Sequence, residues 1–135
     1  MIKKYKNNDR LPEILTHNAF HEPNGEYAWK KDDIINILNE LAKLNYATLG
    51  GEIWGVKDNK IYGVLPSKSG GIGVYSWHSK PKKENEDWNT FVQKCLRENI
   101  ETINNLHPEQ KINEEFINHI YYNLCYVDEQ EYKEL

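Results

Sequence analysis

Apolar positions between residues 31 and 45 recur at steps of three and four, with Ile34, Ile35, Leu38, Leu41 and Ala42 on one stripe. That period predicts an amphipathic helix. Asp32 and Asp33 suit its positive N-terminal end, and Lys43 and Asn45 suit its C-terminal end. The pattern then changes to strand-formers. Residues 46–49 and Glu52-Ile53-Trp54-Gly55-Val56 read as extended, interrupted by Gly50-Gly51, which we read as a bulge between helix and sheet. Lys57-Asp58-Asn59-Lys60 is a polar turn of hairpin length, with Ile61–Leu65 returning from it. A second loop over 66–71 leads to a third strand over 72–77. Short loops between consecutive strands predict an antiparallel meander.

A second helical stripe runs from Trp88 through Phe91, Val92, Cys95, Leu96, Ile100 and Ile103 to about Leu106. Asp87 or Asn85 is its expected N-cap, and His107-Pro108 ends it. Residues 113–117 look like a short helix start capped by Asn113. The strand-rich run from Ile120 to Val127 reads as a final strand. The ends lack such order. Residues 1–27, broken by Pro12, Pro23 and Gly25, form an irregular arm with a helical turn near Leu11–Leu15, and 128–135 an acidic tail expected to fray. The sum is one α+β domain over 1–135: a small antiparallel sheet of three to four strands with two main helices packed on it.

Composition narrows the function classes. At 135 residues with 39% apolar content, the chain can bury a core without metals or disulfides. The net charge of −4 argues against a nucleic-acid partner. All of the excess is in residues 61–135, with eight basic and twelve acidic groups, against nine and nine in 1–60. Such a surface keeps the chain soluble or steers a basic partner. The basic N-terminus has no apolar stretch behind it and so is no signal peptide, and no window approaches a membrane span. A cytoplasmic location is the default. Cys95 and Cys125 have no metal-ligand spacing, and Cys95 falls on an apolar stripe as a buried thiol.

No phosphate loop, dinucleotide fingerprint, zinc motif or nucleophile elbow is present, and no cofactor is implied. Gly70-Gly71-Ile72-Gly73 leads into a strand, not into the helix N-terminus that anion binding requires. His17 and His21 have the spacing of two helical ligands but no helical period around them. His78 is the one candidate general base, and it needs an acidic partner such as Glu52 or Glu84 to make a small hydrolase or transferase. A non-catalytic scaffold or adaptor is a third reading. Binding is the better-supported class. Trp54 lies opposite Ile53 in strand alternation, so one of the two should leave the core, and an exposed Trp is a good interface anchor. The expected contact set is therefore Glu52, Trp54, Trp77, His78, Glu84, Glu86 and Asp87.

The order of these features resembles one known family. Ala28-Trp29 and the helix from Ile34 to Leu44 run into Leu49-Gly50-Gly51-Glu52-Ile53-Trp54. A strand pair, the isolated Trp77 and a helix opening Trp88-Asn89-Thr90-Phe91-Val92 follow. Over roughly residues 27–106 this is similar to the immunity protein 40 family of bacterial polymorphic toxin systems. The resemblance implies a non-catalytic inhibitor, without cofactor, that binds a cognate toxin domain by steric and electrostatic blocking.

Overall fold

The structure is a computed structural model that describes residues 11–66, 72–73 and 75–135. Its elements are α1 (Glu13–Thr16), β1 (Phe20–His21), β2 (Tyr27–Trp29), α2 (Lys31–Lys43), β3 (Ala47–Lys57), β4 (Lys60–Tyr62), β5 (Leu65–Pro66), β6 (Ile72–Gly73), β7 (Tyr75–His78), α3 (Trp88–Leu106), β8 (Ile120–Val127) and α4 (Glu129–Lys133).

The two long helices form where the stripes predict them. Helix α2 buries Ile34, Ile37, Leu38, Leu41 and Ala42. It ends where Asn45 turns left-handed (φ 69°). Tyr46 N–H then donates to Leu41 O and Asn45 N–H to Ala42 O, the paired bonds of a Schellman ending, for which Asn is second only to Gly. Helix α3 starts on Asp87, whose carboxylate accepts from Thr90 N–H at 2.8 Å. It stops at a left-handed His107 ahead of Pro108.

The α+β class and the antiparallel sheet hold, but the sheet is larger than expected. Among the described residues the main sheet is curled and has six strands, in the order β1-β2-β8-β3-β4 with β7 also paired to β3. The arm supplies the difference: strands of two and three residues are too short to show a period in sequence. The meander is also corrected. Strand β3 is eleven residues long, so one of its edges holds β7 along Gly50–Ile53 and β4 along Gly55–Lys57, while β8 takes the other edge. The returning strand stops at Tyr62, and Leu65–Pro66 pairs with Ile72–Gly73 in a separate ladder. The β3–β4 turn is as predicted: Asp58 and Asn59 both have positive φ, as a tight two-residue hairpin requires.

Gly50-Gly51 lies within β3. The register against β8 slips between Thr48 and Gly50, a bulge at Leu49. After it, Gly50 has φ +144°, and a Cβ there would fall 2.2 Å from Trp77 O. The tail ends as predicted in a short helical turn (Glu114–His119, 3-10 in form) followed by a strand, although Asn113 makes no side-chain cap bond. The acidic tail does not fray. Asp128 and Glu131 form a capping box for α4, and Tyr132 packs against Trp88 and Phe91 at 5.6 and 5.1 Å between ring centroids.

Candidate functional site

Strand alternation gives the sheet two unlike faces. Ile53, Tyr122, Leu124 and Trp77 share one buried cluster with Ile34, Leu38 and Leu41 of α2 and Ile103 of α3, so both long helices pack on that face. The opposite face follows from the pairing register. One row runs Phe20, Ala28, Asn123, Glu52, Ser76, and the next row toward the bulge holds Cys125, Gly50 and His78. Trp54 pairs with Tyr121, and Val56 with Ile61, in the rows on the other side. Trp54 belongs to neither buried cluster shared with the helices. We call this the helix-free face.

Its centre is aromatic. Phe20 meets Trp54 edge-on at 6.3 Å and Tyr121 at 6.2 Å. Three strand spacings separate β1 from β3, roughly 14 Å on a flat sheet, so the curl and the small Ala28 let Phe20 lean across. Lys30 Nζ sits 5.8 Å from the Tyr121 ring centre. Trp54 Nε1–H donates to Glu52 Oε1 at 3.1 Å. A cleft of about 710 Å³ opens beside these rings, floored by Phe20, Val56 and Tyr121 and rimmed by Asn18, Asp58 and Asn59. A second, of about 630 Å³, lies at the sheet end between Lys30, Lys31, His107 and His119. Its charges are mixed, since Asp32 and Glu109 line it too, and Lys31 already donates to Ile103 O at 3.0 Å.

The structure divides the seven predicted contact residues. Glu52, Trp54 and His78 lie on the helix-free face, but Trp54 does leave the core without becoming exposed: Phe20 covers it to 6%. Trp77 points to the helices, where Asn99 Oδ1 accepts its Nε1–H at 2.8 Å. Neither Trp is therefore an exposed anchor. Glu86 and Asp87 are engaged within their own loop. Glu86 accepts from Lys83 N–H and bridges Lys94 at 2.9 Å, and Asp87 caps α3. Glu84 and His78 are exposed. Phe20, Tyr121 and Ile61 were missed. Of these, only Tyr121-Tyr122 carried a signal, since alternation must put one of the pair on each face.

Both loop carboxyls are held below their ordinary values of 4.5 and 3.8, Glu86 first by the Lys83 N–H and then by Lys94, Asp87 by the Thr90 N–H. A depressed carboxyl adds stability above its unfolded pKa and loses it as pH falls through the folded one. Stability should therefore decline from about pH 5 downward. An E86Q/D87N variant should show a flatter decline between about pH 5 and 3 in urea melts; an unchanged slope would refute the assignment.

Among the described residues no hydrogen bond or ion pair joins His78 to Glu52 or Glu84, and no three His, Cys, Asp or Glu side chains cluster as metal ligands. His21 lies on β1, beyond the end of α1, with Nε2 2.9 Å from Thr16 O, so the helical spacing of His17 and His21 is not realised. Burial pushes the thiols of Cys95 and Cys125 up to about 11. The thiolate is the nucleophile, and a rise from 9.0 to about 11 cuts its population about a hundredfold at neutral pH. Iodoacetamide should accordingly label the folded protein at least that much more slowly than the urea-unfolded chain; equal rates would contradict it. No described helix is long and apolar enough to cross a membrane. Of the Gly70-Gly71-Ile72-Gly73 run, which is not expected to bind a phosphate, Gly70-Gly71 lie outside the described residues and Ile72–Gly73 form β6.

A profile of the family described as Immunity protein 40 matches residues 17–126. The match reaches beyond the 27–106 span of the sequence resemblance, taking in β1 at one end and nearly all of β8 at the other. No curated protein and no solved structure matches the chain.

Proposed function

Because the chain belongs to the immunity protein 40 family, we propose that it binds a cognate toxin domain and neutralises it by steric and electrostatic blocking, without a catalytic step. In this reading it is a bacterial, cytoplasmic protein of a polymorphic toxin system, one domain over 1–135, needing no cofactor. The observation that carries the reading is the family match over 17–126. The site chemistry supports it: the thiols are held protonated, and His78 has neither Glu52 nor Glu84 as a hydrogen-bonded partner.

Within the expected contact set, Glu52, His78 and Glu84 touch the toxin directly. Trp54, Trp77, Glu86 and Asp87 act from beneath, by holding β3, β7 and the loop before α3 in place. Blocking by cover needs area and complementarity, and a stable protein interface takes about 800 Å² from each partner. Co-expression with the toxin domain encoded beside this gene is the test. Growth should be restored and the two chains should co-purify at equal stoichiometry. Persistent toxicity with well-expressed, folded protein would reject the function.

A further inference from the structure

We propose that Asn24 is a site of spontaneous deamidation, held in check by the β1–β2 hairpin, and that its isoaspartyl product uncovers Trp54. This goes beyond the proposed function and stands independently of it.

Asn24-Gly25 is the one place in the sequence where Gly follows Asn. With no Cβ, Gly leaves its backbone nitrogen open to close approach. That nitrogen attacks Asn24 Cγ. The N–Cγ bond forms, the side-chain nitrogen leaves as ammonia with the displaced amide proton, and a succinimide ring remains. Water then opens the ring at either carbonyl. One opening gives an ordinary aspartyl residue. The other gives an isoaspartyl link, in which the main chain runs through the side-chain methylene and is one atom longer. The sum consumes one water and releases one ammonia, with no oxidant or cofactor.

The hairpin decides when this can happen. Asn24 is exposed at its tip, so water reaches it. Gly25 N–H donates to Glu22 O, and Glu22 N–H donates to Glu26 O, both at 2.8 Å. Pro23 takes the second turn position, and Gly25 follows with φ 96°. Asn24 keeps a negative φ, which excludes a type II turn. The loop is therefore a type I turn closed by a positive-φ Gly, the usual three-residue hairpin connection. Asn24 stands third in the turn, where ψ is about 0°. Ring closure needs the Gly25 nitrogen to eclipse Asn24 Cβ, and this ψ turns it away. Its N–H is also committed to Glu22 O. Cyclisation therefore waits for the hairpin to open. Strand β1 is held to β2 by two residue pairs, so opening belongs to the low-cost end of local fluctuations.

The isoaspartyl link has a structural consequence. An extra main-chain atom does not fit the turn with both closing bonds in place. Those bonds and the two pairs hold β1, and Phe20 of β1 covers Trp54 edge-on at 6.3 Å, leaving it 6% exposed. With the turn lengthened, β1 slips or lifts and the cover goes with it. The aspartyl product keeps the chain length and suits this turn position, so it leaves Trp54 covered.

The test ages the full-length protein in mildly alkaline buffer beside a synthetic peptide of residues 18–30. Mass-spectrometric peptide mapping scores aspartyl and isoaspartyl products separately. Asn24 should convert before any other Asn of the chain, and about tenfold more slowly than in the peptide. Acrylamide quenching of Trp fluorescence should rise in the isoaspartyl fraction, and Trp54→Phe should abolish the rise. Asn24→Asp should quench as fresh wild type, and Asn24→Ser should stay unchanged on ageing. Conversion of another Asn first, or an intact Asn24 after about a hundred peptide half-lives, would remove the site. Equal rates in protein and peptide would remove the gating by the hairpin. Unchanged quenching in the isoaspartyl fraction, or an equal rise in Asn24→Asp, would overturn the link to Trp54.

Discussion

Alanine at position 51 is expected to destabilise the protein by about 3 kcal/mol or more. A Cβ on Gly51 would lie 2.3 Å from Asn123 O and 2.8 Å from two atoms of the Trp77 ring. The first contact is backbone, in the central β3–β8 pair, and no rotamer change relieves it. Strands β3 and β8 would have to separate or slip, and the pairs from Gly50 to Gly55 would move with them. Adding Trp77→Leu removes the ring but leaves the carbonyl, so the double variant should not be rescued. Urea unfolding monitored by Trp fluorescence measures this. A Gly51→Ala variant within about 1 kcal/mol of wild type would show that the β3–β8 pairing is looser than described.

Asn99→Ala is expected to cost about 3 kcal/mol and to lower Tm by roughly 10 °C. Asn99 is 1% exposed, inside α3, and all of its polar atoms are used. Its Nδ2 group donates to Thr48 O at 2.9 Å, Cys95 O at 2.7 Å and Ser79 Oγ at 2.8 Å. Its Oδ1 accepts the Trp77 indole N–H. Thr48 borders the bulge in β3, while Trp77 and Ser79 belong to β7 and its exit. One side chain thus ties the helix to the strands where the bulge loosens the ladder. Alanine leaves the indole N–H bare in the core, and a buried unsatisfied donor costs more than the bond itself contributes. Asn99→Asp should be at least as harmful, because it keeps the acceptor for Trp77 but loses the donors and buries a charge. An Asn99→Ala protein with unchanged Tm would refute this account of the hub.

These two sites show how much was legible in the sequence. The stripes of α2 and α3 were plain, because each recurs over three or more turns and both stripes face one sheet. Asp87 and the Asp58-Asn59 turn were plain too, since their chemistry is local. A bulge was readable near Gly50-Gly51, although it falls at Leu49 within β3 and not between helix and sheet, but not why two glycines are needed: the atoms that exclude a side chain belong to Trp77 and Asn123, far along the chain. Asn99 gave no polar signal at all, sitting within an apolar stripe whose partners lie on other elements. The same holds for Trp54. Alternation turned it away from the core, but its cover is Phe20, in an arm whose strands are too short to carry a period. The acids at 84–87 were conspicuous because they cluster in sequence, yet two of them are engaged in holding the loop. Of the carboxylates Glu22, Glu26 and Glu52, the first two face each other in one hairpin of the arm, and Glu52 reaches the same face only because β8 lies between β2 and β3.

The central claim is that this protein acts by occupying its toxin and not by altering it. Titrating the purified protein into a fixed amount of the neighbouring toxin domain, with residual toxin activity as the readout, addresses that claim most directly. Inhibition by occupancy predicts a linear loss of activity that reaches zero at one equivalent, with both chains recovered unmodified. Complete inactivation at a small fraction of an equivalent, or a toxin left covalently changed after the two are separated, would contradict it.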